Sequence, residues 1–299
     1  MKGNISYLYL LFFLMAYSQV TIAQEKKEAE ADSTSSWKSS GSVGLTFANV
    51  GLENWAGGGV SSISLGFVGN YKVTRDTKKM VWDNQFDFAY GLLRQRGNET
   101  FRKTDDQLII LSQIGYKLNK KWLVTALLNF RTQVSPGYTY GEDSLGNETR
   151  TRISNLLAPG YLTVNTGITF KEKDFLTATL APVTIKNTFV LDDAVNEVDF
   201  GLGVGQRVRS EFGINLLANV TKKVMENVNF TTNLSLFANY GNLGAIDVNW
   251  EALLAMKVNK YINASFGTQL IYDEEVIING MGSKVQFKHA LNIGFGYTF

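Results

Sequence analysis

The sequence predicts an all-β chain closed into a transmembrane antiparallel β-barrel of about 12 strands, and three observations predict it. Period-2 alternation of apolar and polar residues recurs from Trp37 to the last residue. The chain ends Leu291-Asn-Ile-Gly-Phe-Gly-Tyr-Thr-Phe299, a strand with one apolar face that runs out in aromatics. Such a face suits lipid and an interfacial aromatic girdle better than it suits water. Aromatics make up 12% of the chain and glycines number 28, yet mean hydropathy is only -0.06. No stretch beyond the N-terminal region holds the roughly 18 apolar residues that a spanning helix needs. Barrels average out this way because lipid-facing and lumen-facing residues alternate.

Taken in order, the chain opens with Lys2, an apolar run from Tyr7 to Tyr17, and small residues at Thr21-Ile-Ala23. This predicts a secretory signal over 1–23, cut before Gln24, and export through the Sec pathway. Residues 24–36 (QEKKEAEADSTSS) are charged, without apolar spacing, and read as a disordered periplasmic leader. The barrel is assigned to 37–299. Its strands are expected near 40–50, 60–73, 81–95, 106–118, 122–133, 157–170, 175–189, 207–220, 228–240, 247–258, 261–272 and 286–299. In the third strand Trp82, Phe86, Phe88, Tyr90 and Leu92 oppose Asp83, Gln85 and Asp87. In the fifth, Trp122, Val124, Ala126, Leu128 and Phe130 oppose Asn129, Arg131 and Gln133. In the tenth, Val248, Trp250, Leu254 and Met256 oppose Asn249 and Glu251. The polar set of each strand is expected to line the lumen and the apolar set to meet lipid.

Five connections are short and carry lysine: 74–79, 119–121, 171–174, 222–227 and 259–260. They follow every second strand. Between them lie 51–59, 96–105, 134–156, 190–206, 241–246 and 273–285. Short periplasmic turns alternating with longer outer loops are the barrel pattern, which puts both termini in the periplasm. Some residues resist. Pro182 falls inside the seventh strand, where its missing N–H demands a bulge or a shorter strand. Leu93, Leu123 and Leu127 fall on nominally polar faces. A soluble barrel or sandwich with the same alternation is the competing fold.

Candidate chemistry is sparse. The chain has no cysteine, so disulfides, thiolate metal sites and an N-terminal lipid-bearing cysteine are excluded. A net charge of +2 gives no reason to expect nucleic acid. The single histidine, His289, is in phase with Phe287 and Leu291, on the lipid face. A lipid-facing acyl hydrolase would need a serine within reach of that ring, and its own strand supplies none in phase. Acidic pairs recur in the long connections at Asp105-Asp106, Glu142-Asp143, Asp192-Asp193 and Asp273-Glu-Glu275. None has calcium-loop spacing, and solvated loop charge is the simpler reading. Gly201-Leu-Gly-Val-Gly205 lacks the third-glycine spacing and the helix of a dinucleotide loop. The most suggestive set is Arg207, Arg209 and Glu211, of one parity at the start of the eighth strand, with Arg94 and Arg131 near the same level. An arginine-lined mouth selects anions. The competing reading pairs these arginines with Asp83, Asp87 or Glu251 and plugs the barrel.

Several motifs resemble a family of uncharacterised Bacteroidota outer-membrane proteins of about this length, a domain of unknown function. They include Glu53-Asn-Trp-Ala-Gly-Gly-Gly59, Trp82-Asp-Asn84, Phe101-Arg-Lys-Thr-Asp-Asp106, Leu157-Ala-Pro-Gly-Tyr-Leu162, Arg209-Ser-Glu-Phe-Gly213 and Ile246-Asp-Val-Asn-Trp-Glu251. The resemblance implies an outer-membrane barrel and carries over no catalytic residue. The lumen-lining candidates are therefore Asp83, Gln85, Asp87, Asn129, Arg131, Arg207, Arg209, Glu211, Asn249 and Glu251. No catalytic, metal or cofactor site is expected. The expected partners are outer-membrane lipid and other envelope proteins. The leading expectation is a structural or accessory subunit of an envelope assembly, ahead of a narrow solute channel and, last, a hydrolase.

Overall fold

The computed structural model describes residues 37–50, 61–96, 100–173, 175–259, 261–277 and 282–299. The expected signal and leader, and the Gly57–Gly59 turn, lie outside the described residues. Twelve antiparallel strands close into one barrel: β1 (Trp37–Val50), β2 (Ser62–Asp76), β3 (Met80–Gln95), β4 (Arg102–Lys117), β5 (Trp122–Thr132), β8 (Gly160–Glu172), β9 (Leu176–Phe189), β10 (Val208–Met225), β11 (Val228–Asn239), β12 (Asn242–Lys257), β13 (Ile262–Tyr272) and β14 (Gln286–Thr298). β6 (Gly137–Glu142) and β7 (Glu148–Ser154) form a separate hairpin between β5 and β8. The expected strands are all present. The hairpin, inside the expected 134–156 connection, is an addition. Tyr138 and Tyr140 alternate with Thr139 and Gly141 over too few residues to span a bilayer, so the barrel pattern passes over them.

The wall alternates as the pleat requires. Val124, Leu128, Leu180, Phe212, Leu216 and Trp250 are exposed on the outside, whereas Leu123, Thr125, Leu127, Thr169, Thr179 and Asn215 are buried inside. Leu123 and Leu127 thus fill the interior rather than breaking the pattern. The strands close on themselves as one barrel, which replaces the competing sandwich. Neighbouring inward polar groups bond to one another across the strands. Thr125 and Thr169 hydroxyls lie 2.8 Å apart, and Thr169 and Thr179 2.7 Å. Asn165 Oδ1 accepts from Thr184 and from Asn215, each at 3.0 Å.

At the short-turn end the local chemistry is repeated. Asn119 Oδ1 accepts from the N–H groups of Lys121 and Trp122, and Asn259 Oδ1 does the same for Tyr261 and Ile262. Asparagine closes such turns because its side chain mimics a backbone acceptor. Aromatic rings pair at the same level: Trp37 with Trp82, Trp122 with Phe170, and Tyr71 with Phe299. Two connections differ from expectation. β10 runs on to Met225, leaving a much shorter turn than 222–227. The expected long connection 241–246 is mostly strand, because β12 starts at Asn242; the ladder instead shifts between Ala238↔Ile246 and Asn239↔Asn242.

Pro182 produces the anticipated bulge. The register of β9 shifts against β8 between Thr166 and Ile168, and against β10 between Gly213 and Asn215. The bulged backbone presses on Gly167, where an added Cβ would lie 2.0 Å from the Leu180 carbonyl oxygen and 2.6 Å from Ala181 Cα. Backbone cannot yield as a side chain can. Gly167→Val should therefore cost at least about 3 kcal/mol, the upper end of overpacking penalties. Gly267→Val, whose nearest obstacle is a Leu253 methyl at 3.8 Å, should cost little. Urea titrations of folding into lipid vesicles measure both, and equal losses would refute the close approach.

Candidate functional site

The bulge decides which charges enter the barrel. Before it, Thr177 and Thr179 face inward with odd numbers; after it, Thr184, Lys186 and Thr188 do so with even numbers, while Val183 and Ile185 are exposed outside. Lys186 Nζ thereby reaches three carboxylates: Asp247 at 2.5 Å, Asp273 at 2.9 Å and Glu211 at 3.5 Å. Arg209 on β10 bonds Glu211 at 3.1 Å and Glu275 at 3.6 Å. These groups are mostly shielded, with side-chain exposures of 12% for Lys186, 4% for Glu211, 16% for Asp247 and 15% for Arg209. Asn239 also donates to Glu211. A second brace joins Arg131 to Glu251 at 2.6 Å, with Gln269 donating to the same carboxylate at 2.8 Å. Around the wall, β11, β10, β9 and β8 all lie between β12 and β5, so the Arg131–Glu251 bond crosses the lumen.

The long-loop end is roofed on this side. The segment between β9 and β10 makes a short 3-10 turn at Glu197–Phe200, closed by Gly201 with φ 74°, a left-handed conformation that glycine adopts without strain. Ala158, Val190, Val195 and Leu202 form a buried cluster with Phe200 packed against it. Ile277 N–H donates to Asp199 carbonyl at 2.9 Å, tying the segment after β13 to this turn. Arg152 of the β6–β7 hairpin reaches Asp192 at 2.9 Å. Beneath the roof lies a cavity of about 510 Å³, bounded by Phe200, Val276, Leu127, Phe237, Asn129 and Asn249 among others.

Outside the strands, two acids are shifted in opposite directions. Burial works against the Asp273 carboxylate, but Lys186, a hydrogen bond with Glu275 and the nearby Arg209 together hold the group below the usual range. Burial, a hydrogen bond shared with Asp273 and the nearby Glu211 push Glu275 up to about 7. Glu211, Asp247 and Glu275 each bring one oxygen within 4.8 Å of the others, the donor set of a hard cation. Lys186 and Arg209 already occupy that space as counter-charges.

The sequence-derived candidates distribute as follows. Arg131, Arg209, Glu211, Asn249 and Glu251 are drawn into this braced region, and Asn129 borders its cavity. Asp83, Gln85 and Asp87 lie on the inward parity of β3 in a separate network. Asp83 accepts from Thr74 at 2.6 Å, and Asp87 accepts from Gln85 at 2.7 Å and from Asn70. Two arginines are corrected. Arg207 precedes β10, is half exposed and pairs with Asp193 on the loop, because the strand begins one residue later. Arg94 shares parity with Tyr90 and Leu92 and stacks on Phe101 at 5.9 Å. Sequence reasoning missed Lys186, Asp247 and Asp273. Unbroken alternation puts Lys186 on the lipid face, and only the bulge reverses it. His289 is exposed beside Phe287 and faces Thr268 across the ladder; among the described residues no serine hydrogen-bonds to it. Most acids of the long connections have cationic partners: Asp105 with Lys288, Asp106 with Lys103, Asp192 with Arg152 and Asp193 with Arg207.

A closed antiparallel wall, apolar outside and polar inside with aromatics at its rims, defines a transmembrane β-barrel. Residues 47–138 match the family described as Protein of unknown function (DUF3078). No curated protein matches the chain. Among solved structures, the chain is similar to the translocator domain of autotransporter NalP from Neisseria meningitidis, with 10% identity over 98% of this chain and 97% of that one and a TM-score of 0.42. It is also similar to the NanC porin, with 9% identity over 86% and 98% and a TM-score of 0.40. The fold assignment rests on the strand pairing itself.

Proposed function

We propose that this barrel sits in a bacterial outer membrane, reached by Sec export, as a closed structural or accessory subunit of an envelope assembly. Its short turns and both termini face the periplasm and its long loops face the cell surface, the usual disposition of such barrels. The observation that carries the closed reading is the set of ion pairs crossing the lumen, Arg131–Glu251 and Lys186 with Asp247 and Asp273, beneath a folded roof. Each pair satisfies charges that would be costly to leave alone in a shielded interior. A passage for anions has less support, since Arg131 and Arg209 already hold carboxylates. With twelve strands, between the filled eight-strand barrels and the open sixteen-strand porins, such side chains leave little through-space. Purified protein in planar bilayers should be nearly silent. A large, steady conductance with anion preference that weakens in Arg209→Ala would overturn the closed reading in favour of a channel.

A further inference from the structure

The barrel wall is zipped unevenly. β1 and β14 pair only at Ser42↔Thr298, Val43↔Tyr297, Gly44↔Gly296 and Leu45↔Phe295, plus the reciprocal Gly41–Phe299 bonds at 2.8 and 2.9 Å. The ladder stops there, although β1 continues to Val50 and β14 begins at Gln286. β1 remains fully paired to β2 up to Val50↔Ser62, and β14 to β13 up to Gln286↔Ile271. Thr46–Val50 therefore leaves roughly 17 Å of open seam at about 3.3 Å per residue. The direction of the missing bonds follows from those present. Phe299 exchanges bonds with Gly41, so odd-numbered residues of β14 point their N–H and C=O groups at β1. Gly296 N–H goes instead to Tyr261 carbonyl on the β13 side. The main-chain groups of Phe47 and Asn49, and of Leu291 and Ile293, thus aim into the seam with no ladder partner among the described residues.

The side chains agree. Leu291 and Ile293 are 67% and 66% exposed and Phe47 63%, against 51% for Phe212 and 42% for Phe266 elsewhere on the same outer wall. An apolar groove of about 560 Å³ crosses the wall where the ladder stops, bordered by Leu45, Phe47, Ile293 and Phe295 at the seam and reaching Phe67 on β2 and Tyr90 on β3. Unpaired backbone facing hydrocarbon is costly, and acyl chains offer it no hydrogen bonds. An extended polypeptide does, at the repeat the edge presents.

We infer that the upper β1–β14 seam is a strand-acceptor edge, which takes an extended partner segment with apolar residues at alternate positions facing lipid and small or polar residues facing the lumen. The inference rests on the accessory-subunit reading and names how that subunit engages its partner. The probe is a dansyl-labelled peptide with the sequence of residues 43–50 (VGLTFANV), which has that alternation from Val43 to Ala48, added to full-length protein in phosphatidylcholine vesicles. Saturable binding is expected for the native protein and none for a scrambled peptide. Leu291→Pro removes an N–H that points into the seam while leaving the β13 ladder untouched, so this variant should fold normally and lose at least tenfold in binding. Ala290→Pro, which removes an N–H bonded to β13, should instead impair folding. Two results overturn the inference: no peptide binding by the native protein, or equal binding by Leu291→Pro. Cross-linking of a benzophenone-bearing phosphatidylcholine at the seam without peptide binding also overturns it, assigning the groove to lipid alone. Steady conductance with peptide binding intact would sink the closed-subunit reading and leave the acceptor edge standing.

Discussion

Replacing Lys186 with methionine is expected to lower the unfolding free energy by about 3–5 kcal/mol, the cost of removing one partner from a buried ion pair. The size follows from the number of carboxylates that depend on this one ammonium. Asp247 at 2.5 Å, Asp273 at 2.9 Å and Glu211 at 3.5 Å all face it, and among the described residues Arg209 is the other cation within bonding distance of the cluster. Methionine keeps the length and apolar stem and removes only the charge. Lys186→Met combined with Asp247→Asn and Asp273→Asn should regain much of the loss, because the uncompensated charges go with it. Urea titrations in lipid vesicles give the comparison. A loss below about 1 kcal/mol for Lys186→Met would show that the cluster is hydrated rather than bracing the lumen.

The next largest effect is expected on the lipid face. Leu254 lies opposite Phe230 on β11 and Phe266 on β13, all directed outward. Leu254→Arg near the bilayer midplane should cost about 2–4 kcal/mol. Asn233 is on the opposite parity of β11, bonded to Asn219 at 2.6 Å. Asn233→Arg places the same charge in a polar interior and should cost far less. Equal penalties at the two positions would contradict the assignment of inside and outside.

These two predictions draw on different sources. The inward and outward sets of β3, β5 and β12 were legible in the sequence, since a pleat with two different solvents forces alternation that survives in the residue order. The strand count was legible for the same reason, as were the short turns, where lysine and asparagine recur. The Arg131–Glu251 pairing was foreseen as one of two readings, because a lone arginine on an inward parity needs a counter-charge. Arg207 was misplaced because β10 begins one residue after it, and near a strand end one position decides whether the pleat still applies. Arg94 was grouped by its level along the barrel alone, although the alternation of β3 gives it the outward parity of Tyr90 and Leu92.

What the sequence by itself determined is therefore the wall: an antiparallel barrel of twelve strands, its apolar outside and its polar inside, each fixed by patterns only a few residues long. The tertiary structure alone decided how the interior and the seam are completed. Lys186 meets Asp247 on β12 and Asp273 just after β13, both far from it in the chain, and it does so only because the bulge at Pro182 reverses the parity of β9. The closing pair, β1 with β14, joins the two ends of the barrel sequence, and no local pattern states where their ladder stops. Contacts between residues 61 or more positions apart depend on shear, bulge and closure, quantities that accumulate around the whole barrel and are written in no single strand.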